Sequence, residues 1–331
     1  MLLRESEAIM NKAVKLKRPG SIDQMEMVDW PPQEPGPGEV RIRHETIGVN
    51  FIDIYFRSGL YPLPAPGILG VEGVGTIEAL GDDVNDAKVG QRIVYTALPG
   101  AYAATRLLPA WRAIALPDTI SSHIAAASML RGMTVHMLLR CTYPVSKESV
   151  LLVHAAAGGL GSMLTRWAKY LGATVIGAVG SPEKASAARS NGADHVIVGR
   201  DAEIVDEVAK LTMGRGVDFA VDGIGGKMLR KTLACARPLG TVASIGQAAG
   251  PIPPLTIEEF APLRAICFSR PSIMSYASDK DIYRDAAKEV LAMIQRNITA
   301  GIGREYRLDQ AAEAHVDLET GRMVGAAIIA I

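Results

Sequence analysis

The chain has 331 residues, of which 48% are hydrophobic and 21% are charged, an ordinary composition for a globular protein. Its 35 basic and 35 acidic residues cancel, so no bulk charge favours nucleic acid or an anionic membrane surface. The length exceeds what one hydrophobic core usually supports, and no apolar run of about 18 residues could span a bilayer. We therefore expect a two-domain cytoplasmic protein with no membrane partner.

The first part of the chain predicts short strands. Residues 1–9 contain two acids and lack the apolar core of a signal peptide, so we interpret them as an extension before a strand at 12–15. Residues 28–110 are rich in Gly and Pro and contain β-type runs at 39–46 and 73–79. These features predict a partly open β-barrel.

An apolar run at 150–153 leads into a glycine cluster and then into an amphipathic segment. Ala156, Gly158 and Gly161 fall on the three glycine positions of the G-x-G-x-x-G pattern, which holds a dinucleotide pyrophosphate at a helix start. We expect position 156 to permit the turn, Gly158 to let the phosphates approach, and Gly161 to let the helix lie close to the strand. An ordinary strand–helix turn is the alternative for these residues taken alone.

Strands and helices then alternate along the chain, which predicts a parallel sheet covered on both faces and favours the dinucleotide interpretation. The predicted elements are a helix at 162–171, a strand at 174–179, a helix at 182–190, a strand at 195–198, a helix at 201–212, a strand at 217–222, a helix at 225–236 and a strand at 241–245.

The C-terminal residues 300–331 return to the β-rich style. They predict a strand near Tyr306, a helix over 308–318 and an apolar final strand over 325–331. We therefore predict a discontinuous outer domain, residues 1–134 and 274–331, with a nucleotide-binding domain inserted at 135–273.

The end of the second strand of this unit indicates the type of dinucleotide. NAD-binding units commonly place Asp or Glu there to hold the ribose 2′-OH, but this chain has Gly180. Ser181 can donate a hydrogen bond, and Lys184 and Arg200 supply positive charge for a 2′-phosphate. A solvated Lys184 and a plain helix cap at Ser181 are the alternatives, and an inward Glu183 would oppose NADP. We predict a preference for NADPH.

The cysteines and histidines predict no metal site. Cys141, Cys235 and Cys267 lie far apart and form no Cys-x-x-Cys pair, so we expect all three to be small buried hydrophobes. No two of the six histidines stand at ligand spacing, and we interpret most of them as structural residues.

Several motifs together resemble the zeta-crystallin-like NADPH:quinone reductases, a zinc-free branch of the medium-chain dehydrogenase/reductase superfamily. They lie at 47–61, 66–75, 131–136, 154–161 and 269–272, and the resemblance covers nearly everything from Met10 onward. It implies an α/β fold in which a Rossmann domain is inserted into a GroES-like, partly open β-barrel domain.

The resemblance implies reduction of a quinone by NADPH without metal. Zinc-dependent relatives carry Cys where this chain has Asn50, and Gly-His-Glu where it has Gly70-Val71-Glu72. By resemblance, Asn50, Tyr55 and Tyr61 line the nicotinamide and substrate cleft. Asn50 would hydrogen-bond the cofactor or the acceptor oxygen, and the tyrosines would offer an aromatic face and a phenolic proton. For Tyr61 the alternative is packing against Pro62 and Pro64.

The resemblance and the motifs together give a set of expected cofactor-binding residues. They are Asn50, Arg131, Thr134, Gly158, Gly159, Leu160, Gly161, Gly180, Ser181, Lys184, Gly199, Arg200, Ile224, Gly246, Gln247, Phe268, Ser269, Arg270 and Arg322. Two of them depart from the family pattern. Gly199 stands where several relatives stack a Tyr on the adenine side, and Arg131 replaces a Lys. We further expect Asp53 and Arg57 to form an ion pair.

Three alternatives stay open at this point. The first is reduction of an activated C=C bond in an enal, an enone or an enoyl thioester. The second is a non-enzymatic role as a crystallin-like or RNA-binding protein, against which zero net charge and 5% aromatic residues argue. The third concerns electron count, since quinones accept one or two electrons. By resemblance we expect a homodimer, with 240–246 and 263–268 extending a sheet across a two-fold axis.

Overall fold

A computed structural model describes residues 11–64, 67–200, 202–260 and 264–331. The expected extension at 1–9 lies outside these residues, as do Pro66 in the motif at 66–75, Asp201 in the expected helix at 201–212 and Leu263. The chain divides into two compact units. Unit 1 comprises the described residues up to Arg131 together with Ala277–Ile331, and unit 2 comprises Gly132–Tyr276. The predicted domain boundaries, 134/135 and 273/274, stay a prediction.

The elements are numbered in chain order. The strands are β1 Lys12–Leu16, β2 Met25–Asp29, β3 Glu39–Val49, β4 Glu72–Leu80, β5 Arg92–Thr96, β6 Thr105–Pro109, β7 Ile114–Ala115, β8 Val150–His154, β9 Thr174–Val179, β10 His195–Val198, β11 Val217–Asp222, β12 Ala236–Ser244, β13 Cys267–Ser269, β14 Ile302–Arg307 and β15 Ala326–Ala330. The α-helices are α1 Phe51–Ser58, α2 Ser122–His136, α3 Gly159–Tyr170, α4 Pro182–Ser190, α5 Ile204–Leu211, α6 Met228–Cys235, α7 Ile273–Tyr276, α8 Lys280–Gln295 and α9 Ala311–Glu319.

Unit 2 is built on a parallel six-stranded sheet in the order β10-β9-β8-β11-β12-β13. This is the doubly wound order, which places ligands at the carboxyl ends of the strands. The core forms because the apolar strand residues Leu152, Ile176 and Val242 are buried together with the helix residues Val208 and Leu229. The predicted parallel sheet is confirmed.

Unit 1 contains a mostly antiparallel seven-stranded sheet. The long strand β3 organises it by pairing with β4, β6 and β15. Along β3, every second side chain from Val40 to Thr46 is buried, as expected for a strand with one face on a core. Helix α1 follows β3 directly, and α9 lies between β14 and β15 in the chain.

Some expected elements differ from the observed ones. The helices expected at 201–212 and 225–236 are shorter, and the strand expected at 241–245 begins earlier, as β12. Strand β12 also pairs on both sides, with β11 and β13, so it cannot extend the sheet, and β13 is the strand at that edge of the described sheet. Cys141 and Cys267 are exposed and only Cys235 is buried, so the expectation of three buried cysteines is wrong. Within the described residues, no helix has the length and apolar character needed to cross a membrane.

Candidate active site

The glycine loop joins β8 to α3 in unit 2. The glycine pattern predicted that position 156 permits the turn. The left-handed residue of the turn is instead Ala155, with a φ of 50°. Ala156 is small for a different reason. It is fully buried, and its Cβ lies so close to β9 that a side chain at Gly177 would come within 2.9 Å of it.

Gly161 is the position where a glycine is required for close approach. A Cβ there would overlap the carbonyl oxygen of Ala155 and lie 2.8 Å from the Cα of Ala156. Gly158 is the N-cap of α3, and no side chain caps this helix. The first N–H groups of a helix have no partner within the helix and carry roughly half a positive charge together. The loop and helix start are therefore suited to bind a phosphate.

The end of β9 carries positive charge and no carboxylate. The side chain of Arg200 lies over Gly180, where an added Cβ would be 3.3 Å from the Arg200 Cγ. Partial burial lowers the pKa of Lys184, and the positive charge of Arg200 lowers it further. Glu183 is exposed, and the hydroxyl of Ser181 donates to it, which lowers the pKa of Glu183. The structure thus places the Arg200 side chain against Gly180, beside Ser181, and the charge of Arg200 acts on Lys184.

Gly199 has a backbone reason for its identity. Its φ is 122°, a conformation that L side chains rarely adopt. A tyrosine here would require a different course of the chain, so replacing Gly199 with Tyr would strain the backbone as well as add a ring. The idea of a lost stacking contact on the adenine stays a prediction.

The loops after β11 and β12 are joined by their backbones. Ala248 N donates to Gly223 O at 3.2 Å, and Ala249 N donates to Ile224 O at 2.8 Å. These bonds bring Ile224 close to the expected cofactor residues Gly246 and Gln247. At the end of β13, Arg270 Nη1 donates to Ser244 Oγ at 2.8 Å. Its neighbour Ser269 ends β13, and Phe268 packs on Phe260 with ring centroids 5.5 Å apart.

A buried polar chain under the first of these loops was not predicted from the sequence. Asp222 Oδ1 accepts from the N–H groups of Ile224 and Gly225, both at 2.8 Å, and its Oδ2 accepts from Thr232 Oγ1 at 2.6 Å. His154 Nε2 lies 2.9 Å from Thr232 Oγ1, and burial lowers the pKa of this histidine. This network of buried hydrogen bonds links the Ile224 loop to His154 at the end of β8. Only His154, in the glycine motif, carried a sequence signal.

In unit 1, three residues form what we call the Asn50 cluster: Asn50, Glu72 and Arg131. Asn50 Nδ2 donates to Glu72 Oε1 at 2.6 Å, and the N–H of Leu130 donates to Glu72 Oε2 at 2.7 Å. Arg131 Nη1 lies 3.5 Å from Glu72 Oε1, and its Nη groups also donate to Ala127 O and Val49 O. Burial raises the pKa of Glu72 and Arg131 opposes that rise. All three side chains are at most 7% exposed.

Asp53 and Arg57 do not form the expected ion pair. Arg57 donates two hydrogen bonds to Glu319, at 3.0 and 2.6 Å. Asp53 Oδ2 instead accepts from the N–H of Asn50 at 2.8 Å and from Tyr102 Oη at 3.1 Å. Helical spacing placed the two side chains one turn apart, but it could not show that α9 supplies a nearer partner for the arginine.

Tyr55 and Tyr61 contact each other edge to face, with ring centroids 5.5 Å apart. The Tyr61 N–H donates to the Tyr55 carbonyl at 3.1 Å, and its ring also packs on Phe56 with centroids 6.1 Å apart. Tyr61 therefore packs on the rings of Tyr55 and Phe56. The structure brings both tyrosines and Asn50 onto one short helix and the turn after it.

The remaining expected residues are placed separately. Thr134 lies on α2 within unit 2. Arg322 follows α9 in unit 1, with a side chain that is 70% exposed and lies 4.0 Å from Asp317.

A catalytic zinc does not fit the residues of the Asn50 cluster. The relatives' Cys is an amide here, and Glu72 is already engaged by an amide, a backbone N–H and a guanidinium. Among the described residues, no three His, Cys, Asp or Glu side chains are grouped so as to hold a metal ion.

Comparison with known proteins identifies both units. Residues 36–118 match the alcohol dehydrogenase GroES-like domain, and residues 159–296 match the zinc-binding dehydrogenase family. These matches confirm the predicted fold class of a GroES-like domain combined with a Rossmann domain.

Full-length relatives narrow the family. A quinone oxidoreductase of Pseudomonas aeruginosa is 38% identical over 97% of this chain and 99% of its own length. A 2-haloacrylate reductase of a Burkholderia species is 37% identical over 89% of this chain and 91% of its own. The structure of Escherichia coli quinone oxidoreductase complexed with NADPH matches with a TM-score of 0.92 and 32% identity, covering 97% of this chain and all of that one. The chain belongs to the quinone oxidoreductase family of the medium-chain dehydrogenase/reductase superfamily.

Proposed function

We propose that this chain reduces quinones with NADPH and without a metal ion. The Asn50 cluster supports the metal-free part of this proposal. In it, Arg131 faces the carboxylate of Glu72, and the side chain of Asn50 and the N–H of Leu130 donate hydrogen bonds to it. Oxidising an alcohol requires loss of a proton, which a Lewis acid assists. A quinone is already electrophilic and needs only a hydride, hydrogen-bond donors and a proton. The named quinone oxidoreductase relatives support the same reaction.

The residues of unit 2 fit NADPH. The glycine loop packs closely against the start of α3 at Gly161, and this helix start has no side-chain cap. The side chain of Arg200 lies against Gly180, a strand end without a carboxylate, and the charge of Arg200 acts on Lys184. When bound, NADPH supplies a hydride from C4 of its nicotinamide. We propose that these residues hold the pyrophosphate and the 2′-phosphate, and that the Ile224 loop and Arg270 contribute further contacts.

Unit 1 supplies polar groups for the acceptor. An amide nitrogen carries two protons, and the hydrogen bond to Glu72 uses one of those on Asn50 Nδ2, which leaves one for an acceptor oxygen. Tyr55 and Tyr61 offer an aromatic face to a flat ring and a phenolic proton for the reduced oxygen. A positioned general acid contributes roughly 10²–10⁴-fold to such a step.

Reduction of an activated C=C bond is the second candidate. The 2-haloacrylate reductase relative favours it. Both reactions deliver hydride to an electron-poor carbon conjugated to a carbonyl, so the donors of Asn50 and the tyrosines would serve either.

A turnover panel tests the proposal. Purified protein is assayed with NADPH and NADH, each against a small quinone, a polycyclic ortho-quinone, an enal and 2-chloroacrylate. We expect the highest kcat/KM for NADPH with a quinone. A higher value for the enal or the haloacrylate would select the second candidate, and an equal or higher value with NADH would refute the cofactor assignment. One tightly bound zinc per chain would refute metal independence.

The same preparation tests two further expectations. If no acceptor is reduced, filter binding of single-stranded RNA at moderate salt examines the non-enzymatic alternative. We also propose a homodimer, because the edge strand β13 carries Phe268, which is 38% exposed. Light scattering that gives the mass of one chain would contradict it.

A further inference from the structure

Helix α9 is linked to both ends of α1, the helix that carries Tyr55 and begins after Asn50, directly at one end and through Tyr102 at the other. His315 and Glu319 stand four residues apart, so they share one face of α9. At the C-terminal end of α1, Arg57 makes its two hydrogen bonds to Glu319. The Arg57 side chain is 5% exposed and the Glu319 side chain is 38% exposed, so the arginine is shielded from solvent and the carboxylate is partly solvated.

The N-terminal end of α1 is reached through two further side chains. His315 Nε2 lies 3.1 Å from Tyr102 Oη, which donates to Asp53 Oδ2 at 3.1 Å. The same carboxylate oxygen accepts the N–H of Asn50. A continuous chain of contacts therefore runs from α9 to the residue that donates to Glu72.

Buried polar atoms without a hydrogen-bond partner make this arrangement unfavourable for the stability of the fold. Asp53 and His315 are 0% exposed, and Asp53 Oδ1 and His315 Nδ1 have no hydrogen-bond partner in the described part of the molecule. An unsatisfied buried polar atom destabilises a fold, so such groups call for an explanation outside stability.

We propose that His315 and Glu319 are positioning residues that hold α1, and with it Asn50 and Tyr55, in the orientation needed for reduction of the acceptor. His315 acts through Tyr102 and Asp53, and Glu319 acts through Arg57. This inference rests on the proposed function of Asn50 and Tyr55.

The charges around Asp53 decide which proton arrangement supports this role. Asp53 and its partner Tyr102 both feel the charges of Glu72 on β4 and Arg131 on α2. His315, which contacts Tyr102, feels the charge of Arg57. Burial raises the pKa of Asp53 to about 7 and lowers the pKa of His315 to about 3, so the histidine is neutral. When Asp53 is ionised, it accepts from both Asn50 and Tyr102, and His315 Nε2–H then donates to the Tyr102 oxygen.

The first experiment removes the bridging hydroxyl. We expect Tyr102→Phe to lower kcat for quinone reduction by roughly tenfold or more, because small misplacements of reacting groups have effects up to about 10²-fold. The hydroxyl lowers the pKa of Asp53, so its loss should also move the acid limb of the kcat/KM profile to higher pH. The dissociation constant of NADPH should stay unchanged.

The matched control is Tyr283→Phe. Tyr283 is also fully buried in unit 1 and loses two hydrogen bonds, to Arg112 O and from Thr96 N, but it does not contact Asp53. We expect this variant to lose stability while keeping kcat and the acid limb. If the two variants have the same kcat and the same profile, the role of the chain is structural and the proposal is wrong.

The second experiment uses rescue on α9. His315→Gln keeps a polar nitrogen near the Nε2 position, whereas His315→Leu removes it, so kcat should be at least several-fold higher in the Gln variant. Glu319→Gln should lower kcat. Its control is Glu313→Gln on the same helix, which removes an exposed partner of Arg304 and should leave kcat unchanged. Equal kcat within both pairs would overturn the proposal.

Hydrogen exchange separates this inference from the proposed function. Amides of residues 50–61 should exchange faster in Tyr102→Phe and Glu319→Gln than in the Tyr283→Phe and Glu313→Gln controls. If the wild type reduces no acceptor, the proposed function fails while the exchange rates still show whether α9 holds α1. Unchanged exchange in all four variants would refute the positioning role itself.

Discussion

The two candidate site regions are built from different materials. In unit 2, phosphate would be bound by backbone N–H groups at the start of α3, and small residues let the loop, α3 and β9 pack closely together. In unit 1, the Asn50 cluster consists of side chains that are buried and satisfy one another. A backbone site is sensitive to added volume, whereas a buried side-chain cluster is sensitive to loss of charge balance.

The largest expected effect follows from removing the cation of the Asn50 cluster. Arg131→Met leaves Glu72 buried beside an amide and a backbone N–H, without its guanidinium. Breaking a buried ion pair from one side destabilises a protein by about 3–5 kcal/mol. We expect urea denaturation to show a loss of that size in the free energy of unfolding. Arg131→Lys, which keeps the charge, is the control. Adding Glu72→Gln to Arg131→Met should recover part of the loss. Equal losses for Met and Lys would show that charge balance is not what matters.

The corresponding test in unit 2 adds volume. Gly161→Ala places a methyl group against the carbonyl of Ala155, and overpacking of this kind costs about 1–3 kcal/mol. Because the strain falls on the phosphate loop, we expect NADPH affinity to fall by about 10- to 100-fold, measured by fluorescence of the bound nicotinamide. The control is Gly301→Ala, where an added Cβ meets nothing within 4 Å. Unchanged affinity in Gly161→Ala would remove this loop from cofactor binding.

A smaller effect is expected from the side-chain part of the dinucleotide site. Arg200→Ala removes the cation over Gly180, and a hydrogen bond to a charged group contributes about 1.5–3 kcal/mol. We expect kcat/KM for NADPH to fall by about tenfold or more while kcat/KM for NADH is unchanged. Lys210→Ala removes an exposed charge from α5 of the same unit and should change neither value. A parallel fall for both cofactors would contradict a role in 2′-phosphate binding.

The difference between the regions also explains what the sequence could predict. The glycine spacing, the alternating strands and helices and the missing carboxylate at Gly180 are local signals, so the Rossmann unit and its cofactor class could be inferred. The contact of Tyr102 with His315 joins residues 213 positions apart, and the partner of Arg57 lies 262 positions away. Such contacts depend on the packing of α9 on α1, for which the chain has no local pattern. The φ of Gly199 was likewise invisible, since a glycine in the sequence does not reveal its backbone angle.

The last prediction concerns pH and tests whether unit 1 holds a charge at some expense of stability. The pKa of Asp53 is 3.8 in its unperturbed state and is raised by burial to about 7 in the fold. An acid with a raised pKa binds more protons folded than unfolded, so the free energy of unfolding should fall as the pH rises from about 4 to about 7. The buried histidines His44 and His315, whose pKa values are lowered to about 3, act in the opposite sense over part of this range. Asp53→Asn isolates the aspartate, because the histidines are common to both proteins.

We therefore expect the stability of Asp53→Asn relative to the wild type to increase between pH 4 and pH 7 and to level off above it, measured by urea denaturation at each pH. At the same time the variant should lose the acid limb of kcat/KM, because its amide does not titrate. A difference in stability that is constant with pH would mean that Asp53 is ionised throughout, and the limb would then have to come from another group. A gain in stability joined to a loss of turnover would instead show that the buried carboxylate is retained for its effect on Asn50 and α1.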